Sequence, residues 1–252
     1  MIPLLIALWL SPQQTAPVPT FGDILAKIQT TTGDFLQSLP DFICDETITS
    51  KAIVHGKPLQ VVNESHFVGR QQRSHNMLFT ETREVISING KPAGKKKNIE
   101  GPVLFGGGFS SLLHETFDPQ MVPDQTYRMA GEEAFGGRVA LVIEYATREG
   151  QKNLNFDFYG KAYPEKDEGK VWIDKQSLAV LRIERRYLNV PKGETPIVAT
   201  VDYGEVRIEG RPYWMPVTVK AQQARGRRGE RAQYVAEYRN YRRFQANSSI
   251  VY

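Results

Sequence analysis

Four histidines, one cysteine, a glycine run and scattered carboxylates are the groups in this sequence whose types could do chemistry. His55, His66, His75 and His114 have no metal-ligand spacing. His114-Glu115 lacks the second histidine that a zinc-binding helix carries four residues after the first. The sequence therefore points to no metal and no other cofactor. The run `FGGGFSS` at 105–111 puts glycines ahead of a helix start, where backbone N–H groups can meet an anion. It lacks the Gly-Lys-Ser/Thr ending of a phosphate loop and the trailing glycine of a nucleophile elbow, so it reads as a tight turn or hinge. Cys44 stands alone and forms no intramolecular disulfide. It alternates with Phe42 in `LPDFICDET`, which suggests a buried thiol that packs as a small hydrophobe.

Carboxylates are plentiful, among them Glu81, Glu84, Glu132, Glu133, Asp202 and Glu205. A glycosidase needs two of them facing each other at about 5–10 Å across a cleft. Asp202 and Glu205 lie close in the chain, but Gly204 between them leaves their relative facing open. The sequence assigns no catalytic residue, and a hydrolase with dispersed carboxylates is the enzyme alternative it leaves. The sharpest charge cluster is `ARGRRGER`, with Arg225, Arg227, Arg228 and Arg231. Arg239, Arg242 and Arg243 follow, interleaved with Tyr238 and Tyr241. Basic groups with aromatics can bind single-stranded nucleic acid, but an exported chain does not meet it. Contact with an anionic membrane surface is the expectation for the four loop arginines.

The elements that must position these groups are mostly strands. `TFGDILAKIQTTTGDFLQSLP` repeats Phe21, Ile24, Leu25, Ile28, Phe35, Leu36 and Leu39 on one helical face, with Thr20 as cap and Pro40 as stop. Period two then takes over. Strands are expected at Phe42–Val54, Leu59–Val68 and Leu78–Ile88, with a positive-φ turn at Asn89-Gly90. A short helix at 108–117, capped by Ser110 or Ser111, interrupts them. `YRMAGEEAFGGRVALVIEYAT` is strand, turn, strand, with Val139, Leu141, Ile143 and Tyr145 on one face. After a long connection over 148–169, with a short strand at `LNFDF`, comes `GKVWIDKQSLAVLRIERRY`. Its Ala179, Leu181 and Ile183 share one parity, opposite Val180, Arg182 and Glu184. Trp172 and Trp214 take the parity opposite their apolar neighbours. In `IVATVDYGEVRI` the apolar parity switches at Gly204, where a β-bulge would restore the face. The strands end with `YWMPVTVKA` and `AQYVAEYRNYRRF`.

A chain of 252 residues with 40% hydrophobic and 24% charged residues and a net charge of +4 is ordinary soluble-protein material, large enough for a full core. `MIPLLIALWL` is an apolar run too short to span a bilayer, which takes about 20 residues. With the Pro-rich segment behind it, the run fits a secretory signal peptide cleaved near Ala16, although it has no basic start. Residues 1–19 are thus expected to be a signal peptide or disordered lead and 20–252 a single domain. The expected site of action is the periplasm or cell envelope.

The carboxy-terminal half, `GKVWIDKQSLAVLRIE`, then `VDYGEVRIEGRPYWMPVTV` and `YRNYRRF`, resembles the outer-membrane lipoprotein carrier and sorting family. The likeness is strongest over 169–244. The resemblance implies a non-enzymatic half-barrel with an apolar cavity under helices, and a hydrophobic ligand or lipoprotein as partner. The element pattern itself predicts an α+β fold, mostly antiparallel, whose strongly curved sheet is covered by the first helix and the short inserted one. Leu181, Ile183, Val201, Tyr203, Met215 and Val217 are the candidate cavity residues. An envelope sensor or scaffold that binds a protein partner is the alternative from a different class.

Overall fold

The computed structural model describes residues 20–71, 79–96, 98–106, 108–117, 122–150, 155–158, 161–164, 166–225 and 230–245. The signal-peptide segment, its cleavage site at Ala16 and His75 lie outside them. Helix α1 spans Phe21–Ser38. Thr20 caps it as expected: the Thr20 hydroxyl accepts from the Asp23 backbone N–H, and the Asp23 carboxylate accepts from that of Thr20, which satisfies two end groups at once. Four strands follow, β1 (Phe42–Val54), β2 (Lys57–Gln71), β3 (Phe79–Ile88) and β4 (Lys91–Pro92). Helix α2 is Ser111–Phe117. The remaining strands are β5 (Gln125–Phe135), β6 (Arg138–Thr147), β7 (Asn155–Phe158), β8 (Lys161–Pro164), β9 (Asp167–Asp174), β10 (Val180–Tyr187), β11 (Ile197–Ile208), β12 (Arg211–Arg225) and β13 (Glu230–Arg243).

Eleven strands form one antiparallel sheet in the order β4-β3-β2-β1-β13-β12-β11-β10-β9-β6-β5, and β7 and β8 form a separate pair. The sheet is open, because β4 and β5 end it without pairing to each other. The join of β1 to β13 brings the first strand beside the last. The two-residue turns fit the sequence: Asn89 and Gly90 both have positive φ, at 50° and 72°, the conformation whose twist matches the flanking strands. The 148–169 connection holds more structure than expected, since it contains β8 and the start of β9.

One face of the sheet meets the helices. Ile28 of α1 and Leu112, Leu113 and Phe117 of α2 share a buried cluster with Phe42, Phe67, Ile143, Val171, Ile183, Val201 and Val219. Side chains from β2 to β6 meet in that cluster, so the sheet curls round its cover as an open half-barrel. Fully burying one such side chain contributes about 1.5–3 kcal/mol. Cys44 belongs to the cluster and has no exposed surface, and burial pushes its thiol pKa up.

Candidate functional site

The covered face is the candidate site. Ile183, Val201 and Met215 are completely buried there, and Tyr203 is 7% exposed. They pack together with the cover: Phe105 and Phe109 of the loop before α2, with its Leu112, Leu113 and Phe117, belong to the same cluster. Gly108 shows how close the approach is, because a Cβ there would sit 2.6 Å from Val219 Cγ1 and 2.8 Å from the Phe105 ring.

Two of the six candidate cavity residues are placed elsewhere. A bulge between Val180 and Arg182 breaks the β9–β10 register at Leu181. Val180, not Leu181, therefore joins Ile183 in the core cluster; Leu181 is buried but outside it. The expected bulge near Gly204 is present, but its extra residue is Val217 on the partner strand β12, where Asp202 pairs with Thr218 and Tyr203 with Pro216. Val217 is half-buried and covers Gly204, where a Cβ would lie 3.0 Å from Val217 Cγ1.

The arginine cluster is not one loop. Arg225 ends β12 and Arg231 lies in β13, paired with Ala224. Arg227 and Arg228 fall outside the described residues. The carboxylates that could have formed a hydrolytic pair are separately held. Asp202 bonds Arg182 at 2.6 Å, Glu132 bonds Lys175 at 2.6 Å and Glu133 accepts from Trp172 Nε1 at 2.8 Å. Glu205 meets Arg207 at 3.5 Å, and Glu81 accepts from both the backbone and the hydroxyl of Ser110. Ser110 thus spends its hydroxyl on β3 rather than on capping α2. Trp172 sits on the outer face beside Phe135, while Trp214 packs at the margin of the core and donates to the Val180 carbonyl at 2.5 Å. Among the described residues no group of His, Cys, Asp and Glu is placed to hold a metal.

Sequence reasoning missed the polar groups inside this face. Arg185 has no exposed side-chain surface, and its Nε lies 3.0 Å from Asp167 Oδ2, itself unexposed. Nε also donates to the Tyr145 hydroxyl at 3.2 Å. On the other edge of the guanidinium, Nη1 pairs with Glu115 of α2 and Nη2 donates to Thr116 Oγ1 at 3.0 Å. Burial pushes the Glu115 carboxyl above the usual range; Arg185 opposes this and Asp167 adds to it. Across the face, Glu46 is buried and accepts from Arg83 Nε at 2.8 Å and the Ser65 hydroxyl at 2.7 Å. A signal did exist: in Ile183-x-Arg185-x-Tyr187 the arginine holds the apolar parity, as Glu46 does between Cys44 and Ile48.

Among the described residues the cover is pinned at several polar points, including the Tyr127 hydroxyl, which donates to the Thr116 carbonyl of α2 at 2.5 Å, and the Gln71 amide, which donates to the Gln37 carbonyl of α1 at 2.7 Å. Glu81 holds its front at Ser110, and Arg185 holds its back at Glu115. The preceding loop is tied by Ser50, whose hydroxyl donates to the Val103 carbonyl at 2.6 Å, and by Asn63, bonded to Glu100.

No family model matches the sequence, and no curated protein does. Solved structures with a similar arrangement exist. A DUF1329 family protein from Desulfovibrio piger is 14% identical, with 89% of this chain and 93% of that one covered and a TM-score of 0.44. A LolA superfamily protein from Nitrosomonas europaea is 11% identical, with 88% and 94% covered and a TM-score of 0.45. A domain from Vibrio parahaemolyticus named for outer membrane lipoprotein sorting is 14% identical, with 89% and 93% covered and a TM-score of 0.43. The names of the last two belong to the family that the sequence resembles. No helix among the described residues is long and apolar enough to cross a membrane.

Proposed function

We propose that this chain is an exported, non-enzymatic protein that takes an apolar or amphipathic ligand, such as an acyl chain, between its curled sheet and the cover formed by α1, α2 and the loop before α2. One observation carries the reading. The covered face is mostly apolar from β2 to β6, and among the described residues its cover is fastened by separate polar contacts at Ser50, Asn63, Gln71, Glu81, Tyr127 and Arg185.

The magnitudes say how such a protein would work. A sixteen-carbon chain buries apolar groups worth on the order of 10 kcal/mol at about 0.8 kcal/mol per CH₂. Displacing Phe105, Phe109, Leu112, Leu113 and Phe117 costs a similar amount, on the order of 10 kcal/mol at about 1.5–3 each. The exchange is near balance, so a ligand can take the place of the cover on the sheet.

The close packing of the cover on the sheet also favours a second reading, an envelope sensor or scaffold that presents its surface to a protein partner. Native mass spectrometry of the protein purified from its own envelope separates the two. The ligand reading expects a lipid mass on the folded protein. A bare mass, with a co-purifying protein in its place, supports the scaffold.

A further inference from the structure

We propose that Arg185, with the Tyr203 hydroxyl as a second donor, receives the anionic head of an amphipathic ligand, a carboxylate or phosphate, and that the Glu115 carboxylate of α2 holds that place when the cover is closed. The proposal rests on the ligand-binding reading above and adds the class of head group.

Arg185 divides the edges of its guanidinium between two kinds of neighbour. Its Nε edge faces the sheet. Asp167 there lies directly across from Tyr187 on the adjacent strand and is itself fixed by the Thr147 hydroxyl. That contact persists whatever the cover does. Its Nη1 and Nη2 edge faces α2, where Glu115 and Thr116 are the partners. Lifting α2 removes both. Loss of these partners in a buried place is costly, and a planar fork of N–H groups matches a carboxylate or phosphate.

Glu115 is a replaceable occupant. Asp167 already neutralises Arg185, so an ionised Glu115 gives the cluster a net negative charge in a largely buried place, and burial holds its carboxyl above the usual range. An incoming head group need only match this contact. Tyr203 adds an unused donor. Its hydroxyl is buried without a hydrogen-bond partner among the described residues, and Tyr203 shares the covered cluster with Tyr145, whose hydroxyl meets Arg185. A buried hydroxyl left without a partner normally costs stability, which makes it a group awaiting a ligand atom. Because the apolar terms of the exchange nearly cancel, these few polar contacts decide which amphipath is held.

The test compares tritiated palmitate, hexadecyl phosphate and hexadecanol on the full chain, three probes with the same alkyl length. At least one anion should bind about tenfold more tightly than the alcohol, and the tighter of the two tells carboxylate from phosphate. Glu115→Gln should raise anion affinity about tenfold and hexadecanol affinity under about threefold, because it removes a competitor for Arg185. Tyr203→Phe should weaken the anion about fivefold and leave the alcohol unchanged. Equal binding of all three probes, or an equal gain for all three in Glu115→Gln, overturns the head-group site and leaves the ligand-binding reading standing. No binding of any probe sinks both.

Discussion

Arg185 of β10 and Asp167 of β9 face each other with Nε and Oδ2 3.0 Å apart, and neither side chain has any exposed surface. Glu115 approaches the same guanidinium from α2. Two carboxylates thus share one buried cation. Asp167→Asn and Glu115→Gln should each cost about 1–2 kcal/mol, since the other carboxylate remains. The double variant strips both and should cost more than the sum, because an unpaired buried charge destabilises by about 3–5 kcal/mol. Urea melts of the four proteins measure this, and strict additivity would show that the two carboxylates do not share the arginine.

Asp174 should make the fold acid-sensitive. Burial works against its ionisation, but the backbone N–H groups of Ser177 and Gln176 and the Arg138 guanidinium draw its pKa from 3.8 down to about 2. A carboxyl depressed in the folded state contributes stability that is complete above its unfolded value. That contribution is lost as pH falls through about 2, and it amounts to roughly 2 kcal/mol. Asp174→Asn should flatten the loss of stability between about pH 4 and pH 2, as read from thermal melts across that window. An unchanged acid slope would remove Asp174 from the account.

Two glycines should respond in opposite directions. At Gly169 a Cβ would lie 2.1 Å from the Glu184 carbonyl oxygen and 2.6 Å from the Tyr145 ring. Gly169→Ala must therefore push β9 from β10 and should cost about 3 kcal/mol or more. Gly33, inside α1, has nothing within 4 Å of a Cβ, and Gly33→Ala should gain about 0.5–1 kcal/mol. Paired denaturant curves check both signs.

The bulge at Leu181 makes a fourth stability test. Ile183 is fully buried in the covered cluster, so Ile183→Ala should cost about 2–5 kcal/mol. Arg182 lies on the other face, bonded to Asp202 at 2.6 Å with its guanidinium 4.9 Å from the centre of the Phe135 ring. Arg182→Ala should cost about 1 kcal/mol. Leu181→Ala should fall between them. If Arg182→Ala proved the most damaging of the three, the facing of β10 would be the reverse of that described.

The amino-acid sequence by itself determined the local elements. Helix α1 follows from apolar residues at helical spacing between Thr20 and Pro40, and β1 from strict alternation starting at Phe42. The turn at Asn89-Gly90 follows from residues that tolerate positive φ. These signals are local because each depends on a few neighbours along the chain. Tertiary structure alone decided the rest. The Leu181 and Val217 bulges arise from pairing between strands, so period-two counting assigns both residues to the wrong face. The meeting of Asp167 and Glu115 at Arg185 joins residues from β9, α2 and β10, which only the curl of the sheet and the docking of α2 bring together. A charge can occupy an apolar parity when distant partners compensate its loss of water, and those partners leave no mark within the strand that carries it.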